Sequence, residues 1–324
     1  MSLSEQQVQE TRELLDAIRR EIRKALVGQD AVIDQTLVAL LAGGHVLLEG
    51  VPGLGKTLLV KALARTFDGS FARIQFTPDL MPADVVGHTL FDATSGRFVT
   101  RQGPVFTNLL LADEINRAPA KTQSALLEVM QEGQVTLEGS TLAVPKPFMV
   151  LATQNPIEQE GTYPLPESQL DRFLLKIRID YPGPNEEYEL TRHVTAGRVG
   201  AELAVDGLSA LTRAESVLAL QATGAQVDVE QRVLEYAVAI VRATREHPGI
   251  AIGAGPRGSI ALIRAGRAHA LTQGRAFVTP DDIKSIALPA LRHRIGAAAE
   301  AEIEGLTPDA LLAGVLDKVP APRS

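Results

Sequence analysis

A glycine-rich stretch, residues 50–57, constrains this chain more than any other feature of its sequence. It reads Gly-Val-Pro-Gly-Leu-Gly-Lys-Thr and fits the pattern G-x-x-x-x-G-K-[ST]. Glycines in this pattern let backbone N–H groups converge on phosphate oxygens. The lysine offers a cation to the β- and γ-phosphates, and the threonine hydroxyl is a ligand for Mg²⁺. The alternative interpretation is a glycine-rich turn with an incidental lysine.

The residues on either side supply the context that this loop requires. An apolar run at 45–49 predicts a buried strand before the loop, and the spacing of apolar residues over 57–67 predicts a helix after it. Such a helix would aim the positive end of its dipole at a bound anion. We therefore predict a nucleotide triphosphate site built from Gly50, Val51, Pro52, Gly53, Leu54, Gly55, Lys56, Thr57 and Leu58.

Two adjacent carboxylates follow a second apolar run. Residues 108–114 read as a buried strand that ends in Asp113 and Glu114, at the end of the strand where α/β sheets place their ligands. Beside a phosphate loop, Asp113 would hold Mg²⁺, partly through water, together with Thr57. Glu114 would polarise an attacking water molecule as general base. The alternative is two solvated acids at the start of a loop.

Bulk composition narrows the classes of protein. A net charge of −7 argues against a surface that coats nucleic acid, and we expect no sequence-specific nucleic-acid binding. The absence of cysteine excludes disulfides and thiolate metal sites. The N-terminus is polar and no apolar run approaches the roughly 18 residues that span a bilayer, so we expect a cytoplasmic protein without membrane insertion. The six histidines and the cluster Arg292-His293-Arg294 are expected on the solvated surface.

The order of the predicted elements indicates an α/β fold in the first part of the chain. Apolar strands alternate with helical segments, which favours a parallel five-stranded sheet covered on both faces. Two hairpins are predicted as inserts, at 89–100 and at 134–144. The five sheet strands are predicted at 45–49, 71–76, 108–114, 148–153 and 174–179.

The composition changes after the Pro/Gly-rich stretch at 181–185, where strand-like runs stop. We predict a first domain over 1–183, which includes an N-terminal helix at 4–26, and a separate all-α domain over 184–324. Helices in the second domain are predicted at about 185–197, 228–246, 257–273, 279–288 and 307–317.

The series of motifs resembles that of the AAA+ ATPases, and the residues within and around these motifs are similar to those of the MoxR family. The similar stretches are 48–57, 73–84, 103–106, 112–119, 152–156 and 161–167, and Leu-Asp-Arg-Phe at 170–173 belongs to the same series. The resemblance covers most of 20–320. It implies an AAA+ P-loop core followed by a smaller all-α lid, with the two hairpins corresponding to inserts that face the pore of a ring.

The resemblance also assigns roles to residues outside the two motifs. Asn155 corresponds to sensor 1, which helps to orient the attacking water, although an Asn before Pro156 also suits a simple turn. Arg172 corresponds to the arginine finger donated to a neighbouring subunit, the alternative being a surface pair with Asp171. Arg257 corresponds to sensor 2 and would reach from the lid to the γ-phosphate, so that nucleotide state sets the angle between domains. Val27 and Gly28 would line the adenine pocket.

The implied function is Mg²⁺-dependent ATP hydrolysis by a homo-oligomeric ring, with six subunits as the expected number. The resemblance implies coupling to chaperone-like remodelling, or to metal-cofactor insertion, in a client protein. It further implies a partner with a von Willebrand factor A-type domain. Arg117 and Glu167 belong to the stretches that resemble the MoxR family, and they are expected at contacts between subunits. Two alternatives stay open: the ATPase subunit of a magnesium or cobalt chelatase, and an ATP-gated scaffold whose hydrolysis is incidental.

Overall fold

The structure is a computed structural model that describes residues 3–94, 96–154, 162–195, 205 and 207–322. Five strands form one parallel sheet, as predicted, and their spatial order is β2-β5-β8-β1-β9. The strands are β1 Val46–Glu49, β2 Phe71–Gln75, β3 Gly87–Asp92, β4 Arg97–Gln102, β5 Leu109–Asp113, β6 Gln134–Leu137, β7 Ser140–Ala143, β8 Met149–Gln154, β9 Leu175–Arg178, β10 Ile250–Ile252 and β11 Gly296–Ala297.

Helices cover both faces of this sheet and make up most of the remainder of the chain. They are α1 Glu5–Arg23, α2 Asp30–Leu41, α3 Lys56–Thr66, α4 Pro82–Val86, α5 Ala120–Glu132, α6 Glu167–Leu170, α7 Pro184–Thr195, α8 Ala214–Ala225, α9 Gln231–Glu246, α10 Pro256–Thr272, α11 Pro280–Leu291, α12 Ala299–Ile303 and α13 Pro308–Lys318. The first helix begins with the predicted capping box, in which Ser4 Oγ accepts the Gln7 N–H and Gln7 Oε1 accepts the Ser4 N–H.

The central strands are buried on both faces, which explains their uninterrupted apolar sequence. In β5, Leu109 and Leu111 pack into a core shared with α1–α3 and the lid helices, whereas Leu110 and Ala112 pack into a second core with α5. This alternation is the two-residue period of a strand. Because the sheet is parallel, the carboxyl ends of all five strands meet along one edge, where Asp113 and Glu114 lie beside Thr153 of β8.

The C-terminal region is a helical lid, and its helices pack closely on the N-terminal ones. Helix α10 contacts α1 and α2, and α11 packs along β9. The apolar core continues across position 183 without a break. Three features of this region escaped the sequence analysis: helix α8, the short helix α12, and an antiparallel ribbon formed by β10 and β11. Among the described residues, no helix has both the length and the apolar character needed to cross a bilayer.

Both predicted hairpins form, as β3–β4 and β6–β7. Every residue of β4 is exposed, and Phe91 meets Phe98 edge-to-face with 5.3 Å between ring centroids.

The prediction that the histidines and the 292–294 cluster are solvated is wrong for several residues. His293 is 6% exposed, and the Arg294 side chain is 4% exposed. His45 lies between two core elements, where its Nε2 bonds the Met130 carbonyl and its Nδ1 accepts the Val150 N–H. Desolvation lowers the pKa of His45 to about 4. His293 and the Arg294 side chain are buried and His45 is half-buried, and each bonds a backbone group that strands and helices leave unpaired.

Candidate nucleotide-binding site

The glycine-rich loop joins β1 to α3, as its sequence predicts. Gly53 and Gly55 have φ of 87° and 80°, in the left-handed region, and Gly55 caps α3 so that Lys56 and Thr57 open the helix. Gly50 is required for a different reason, since a Cβ there would lie 2.5 Å from the Ile179 carbonyl oxygen. The loop borders a cavity of about 500 Å³, here called the phosphate-loop pocket, which also contains Asp113 and Glu114.

Lys56 Nζ donates to the carbonyl of Gly50. Burial lowers the pKa of Lys56, and the carboxylates of Asp113, Glu114 and Glu49 oppose that shift. A lysine in this position has lost part of its hydration and faces acidic groups, so a polyanion that enters the pocket meets a cation whose charge is poorly screened.

Asp113 is held from two sides. Thr153, near the end of β8, donates from Oγ1 to Asp113 Oδ1 at 2.6 Å. Arg73, on the neighbouring strand β2, donates from Nη2 and Nε to Asp113 Oδ2 at 2.6 and 3.2 Å. Both carboxylate oxygens therefore have fixed positions, and one of them is bound by a half-exposed arginine that lines the same pocket.

Glu114 has an unusual backbone. Its φ and ψ are 56° and 51°, in the left-handed region that a side chain other than glycine seldom adopts. Its N–H donates to Thr153 Oγ1 at 2.8 Å. Its Oε2 accepts hydrogen bonds from Gln75 at 2.7 Å and from Arg117 at 2.9 Å. The strained residue is thus fixed by neighbours at both its backbone and its carboxylate.

The donor set of the pocket fits Mg²⁺. Thr57 and Asp113 both line it and offer a hydroxyl and a carboxylate oxygen, the hard ligands that Mg²⁺ prefers. Mg²⁺ commonly takes one or two carboxylates and completes its shell with water and phosphate oxygens. The described residues contain no cluster of three or more acidic, histidine or cysteine side chains that would form a metal cage. The site therefore suits a metal ion that arrives with a phosphate ligand.

A smaller apolar pocket adjoins the glycine loop on the other side. Val27 lines it, together with Leu54, Leu58 and residues that follow the sheet, Pro182 and Leu190. Val27, which is predicted to line the adenine pocket, therefore lies on an apolar slot next to the glycine loop. Gly28, with φ of 73°, makes the turn beside this pocket, and a Cβ there would lie 2.8 Å from Glu186 Cβ.

The structure brings Lys56, Thr57, Asp113 and Glu114 together in one cavity, which Pro52, Gly53, Gly55 and Leu58 also line. Asn155 falls in 155–161, outside the described residues. Arg172 and Arg257 line a separate cavity of about 430 Å³, here called the finger pocket, between α5, the lid and residues 171–174. Neither arginine lines the phosphate-loop pocket in the part of the chain that the structure describes.

The position of Arg257 differs from the expectation that it reaches the γ-phosphate from the lid of its own subunit. Arg257 opens α10, and its Nε lies 3.8 Å from Asp171 Oδ2, because the lid packs that end of α10 against residues 171–174. Asp171 pairs with Arg257 and Arg294, so the alternative surface pair between Asp171 and Arg172 does not form among the described contacts. Arg172 instead donates to the Leu127 carbonyl at 2.8 Å.

Sequence analysis missed four residues that fix the carboxylates: Arg73, Gln75, Arg117 and Thr153. A signal was present for two of them. Arg73 and Gln75 alternate on β2, which places them on one face of the strand, and polar residues at such spacing in a predicted buried sheet indicate a site at its edge. Arg117 was expected at a subunit contact, but it forms an ion pair with Glu114 of its own chain.

Comparisons with known proteins agree with this geometry. The family model described as "ATPase family associated with various cellular activities (AAA)" matches residues 45–175, and the model of the AAA lid domain matches residues 242–314. The crystal structure of a protein from Cytophaga hutchinsonii superposes with a TM-score of 0.90 at 41% identity, and covers 98% of each chain. This agreement confirms the α/β AAA+ core with a helical lid.

Relatives that align with this chain over most of their length show which family of AAA+ ATPases it belongs to. The chain is 46% identical to the uncharacterized protein YeaC of Bacillus subtilis, with 96% of each chain covered. It is also 46% identical to chaperone MoxR1 of Mycobacterium tuberculosis, over 94% of this chain and 81% of that protein. The 38 kDa subunit of the magnesium chelatase of Cereibacter sphaeroides is more distant, at 29% identity over 84% of this chain and 91% of that subunit. The chain therefore belongs to the MoxR family of AAA+ ATPases.

Proposed function

We propose that this protein hydrolyses ATP with Mg²⁺ in the phosphate-loop pocket. The observation that carries the proposal is the convergence of a cation, a hydroxyl and two separately held carboxylates, Lys56, Thr57, Asp113 and Glu114, in one cavity. Each of these groups has a task in phosphoryl transfer. The neighbouring apolar slot beside Val27 supports the placement of the nucleotide base there.

The chain's own residues divide the work. Lys56 exchanges the Gly50 carbonyl for phosphate oxygens, which offer it a stronger, charge-assisted bond. Mg²⁺ held by Thr57 and Asp113 would neutralise charge on the transferred phosphoryl group. Glu114 accepts a proton from the attacking water, and Gln75 and Arg117 fix the direction of its carboxylate. Asn155 is proposed to orient the same water.

The arrangement of the two other arginines supports a ring. Arg172 and Arg257 share the finger pocket, apart from the phosphate-loop pocket of their own chain. Two cations can assist hydrolysis from there if they serve the nucleotide of a neighbouring subunit. A closed homo-oligomer, with six subunits as the expected number, satisfies this requirement for every site at once. Both arginines would then act on one nucleotide in trans.

The work done with ATP is proposed to be chaperone-like remodelling of a client protein. Support comes from the relative named chaperone MoxR1. Metal-cofactor insertion in the client, and a partner with a von Willebrand factor A-type domain, remain part of the proposal. The chelatase alternative is supported by the 29% identity to a magnesium-chelatase subunit, which is well below the 46% to MoxR1. The scaffold alternative has less support, because a module that only grips ATP has no need of the fixed Glu114.

Specific ATPase activity should be measured against protein concentration with Mg²⁺, for the parent protein and for Glu114→Gln. We expect activity per subunit to rise with concentration, since shared sites form on assembly. The Glu114→Gln variant should bind ATP normally and lose about 10²–10⁴-fold in turnover, the usual contribution of a positioned base. Undiminished turnover in this variant would remove Glu114 from its role. Activity that stays flat with concentration would argue against shared sites.

A further inference from the structure

Two buried lid side chains that follow α11 hold the segment that carries Arg172. His293 bonds the Phe173 carbonyl through Nε2 at 3.0 Å, and Arg294 makes a larger set of contacts. Arg294 Nε donates to Asp171 Oδ1 at 2.8 Å. Its Nη2 donates to the Phe173 carbonyl at 2.6 Å and to the Asp171 carbonyl at 3.3 Å, and its Nη1 donates to the Leu174 carbonyl at 3.2 Å. One guanidinium therefore binds three of the four residues from 171 to 174.

The contacts of Arg294 with residues 171–174 require an arginine rather than a lysine. The side chain is 4% exposed, and its burial lowers the pKa of Arg294, an effect that Asp171 opposes. Only a planar group with several fixed N–H donors can satisfy a carboxylate and several carbonyls that diverge from one turn. A lysine has a single nitrogen, so it would leave some of these buried acceptors unpaired.

The same segment also lies between Arg172 and Arg257, two of the four arginines that line the finger pocket. Asp171 gives one carboxylate oxygen to Arg294 and lies 3.8 Å from Arg257 Nε through the other. Arg172 anchors one nitrogen on the Leu127 carbonyl, and its Nε is buried without a hydrogen-bond partner among the described residues. An unpaired guanidinium nitrogen is costly unless an acceptor arrives from outside the chain.

We propose that Arg294 is a positioning residue for the arginine finger: it fastens residues 171–174 to the lid, so that Arg172 and Arg257 are presented to the neighbouring nucleotide as one unit. The inference rests on the proposed trans role of Arg172. It predicts that loosening Arg294 impairs a subunit as donor of the finger and leaves its own nucleotide site intact. A displacement of about 1 Å at a catalytic group can cost about 10²-fold in rate.

The matched pair of variants is Arg294→Lys and Arg292→Lys. Arg292 lies at the same end of α11 and also ties the lid to the core, through the Lys176 carbonyl at 3.2 Å. Its Nε bonds Asp309 within the lid at 2.9 Å, and none of its described contacts reaches residues 171–174. We expect Arg294→Lys to lower kcat about 10–100-fold with KM for ATP within about twofold of the parent. Arg292→Lys should stay near the parental kcat. Equal losses in both variants would mean that Arg294 supports the fold in general, and would overturn the proposal.

Mixed rings test the direction of the effect. A Glu114→Gln subunit supplies an intact finger and a dead site, whereas an Arg294→Lys subunit supplies an intact site and a displaced finger. An equimolar mixture should therefore show at least about twice the activity expected from adding the two proteins measured alone. No gain would place the defect in the Arg294→Lys subunit's own site and overturn the inference.

Mixing Arg172→Ala with Glu114→Gln gives the reference. If that mixture gains activity and the Arg294→Lys mixture does not, only the role of Arg294 fails. If neither mixture gains activity, the trans finger itself fails, and the inference fails with it. Should Arg294→Lys not fold, as judged by thermal unfolding, Asp171→Asn enters the same mixture, because it weakens the Nε contact and leaves the carbonyl acceptors in place. A gain of activity in that mixture would support the role of Arg294. No gain, beside a gain in the Arg172→Ala mixture, would overturn it.

Discussion

The phosphate-loop pocket and the finger pocket are both lined by cations, but they are built in different ways. In the first, the contiguous loop 50–57 and the end of one strand supply Lys56, Thr57, Asp113 and Glu114. In the second, Arg172 comes from the core and Arg257 from the lid, and Arg294 bonds Asp171, which lies 123 positions earlier in the sequence. Under the proposed function, the first pocket binds the nucleotide of its own chain, whereas the arginines of the second act on the nucleotide of a neighbouring subunit.

The largest effect should come from the finger pocket. Replacing Arg172 with Ala should reduce kcat by about 10³-fold or more, the range measured for fingers donated in trans. The dissociation constant for ATP should stay near that of the parent, because Arg172 does not line the nucleotide pocket of its own chain. Steady-state kinetics and a fluorescent-nucleotide titration test both halves of this statement. A parental kcat would contradict the assignment of the finger.

The opposite pattern is expected in the phosphate-loop pocket. Lys56→Ala removes a charge-assisted contact to phosphate, so ATP binding itself should weaken by about 10–100-fold. A binding titration with ADP alongside ATP would locate the contact, since a lysine that reaches the β- and γ-phosphates should matter more for ATP. Unchanged ATP affinity would erase the distinction between the two pockets.

The wall of the finger pocket should give the protein a pH-dependent stability. Both folded and unfolded chains hold His45 neutral at pH 7. In the unfolded chain His45 binds a proton as the pH falls below its ordinary pKa of 6.5. In the folded chain it binds that proton only near pH 4, so the free energy of unfolding falls as the pH falls. His45 alone should cost about 2 kcal/mol between pH 7 and pH 5.

Urea unfolding at the two pH values, for the parent and for His45→Gln, measures this contribution. The variant should lose part of the pH dependence and retain the part due to His293, whose pKa burial also lowers. Identical pH dependence in the two proteins would show that His45 titrates alike in the folded and unfolded chains.

The smallest effect concerns Arg73, which binds Asp113 in the phosphate-loop pocket. Mg²⁺ must compete with this half-exposed ion pair, which is worth about 1 kcal/mol. Arg73→Ala should therefore lower the Mg²⁺ concentration at half-saturation about fivefold. The titration is best done as nucleotide binding in the Glu114→Gln background, where turnover does not interfere. A rise in the Mg²⁺ requirement would mean that Arg73 helps to hold the metal–phosphate complex.

Sequence determined most of the phosphate-loop pocket, because its residues belong to short motifs whose geometry is local. A glycine loop between a strand and a helix has one workable arrangement, and parallel strands bring their carboxyl ends to the same edge. The five strands, both hairpins and the N-terminal capping box were predictable for the same reason: each depends on a repeat or a turn within a few residues.

Tertiary structure decided what no local pattern encodes. Three partners of Asp113 and Glu114, the side chains of Arg73, Gln75 and Thr153, come from β2 and β8, so these contacts depend on which strands flank β5 in the sheet. The place of Arg257 depends on how the lid packs against residues 171–174. His45, His293 and Arg294 resemble surface residues in sequence, yet they are enclosed because distant segments present unpaired backbone groups to them. Long-range packing, which sequence periodicity does not report, fixes these contacts.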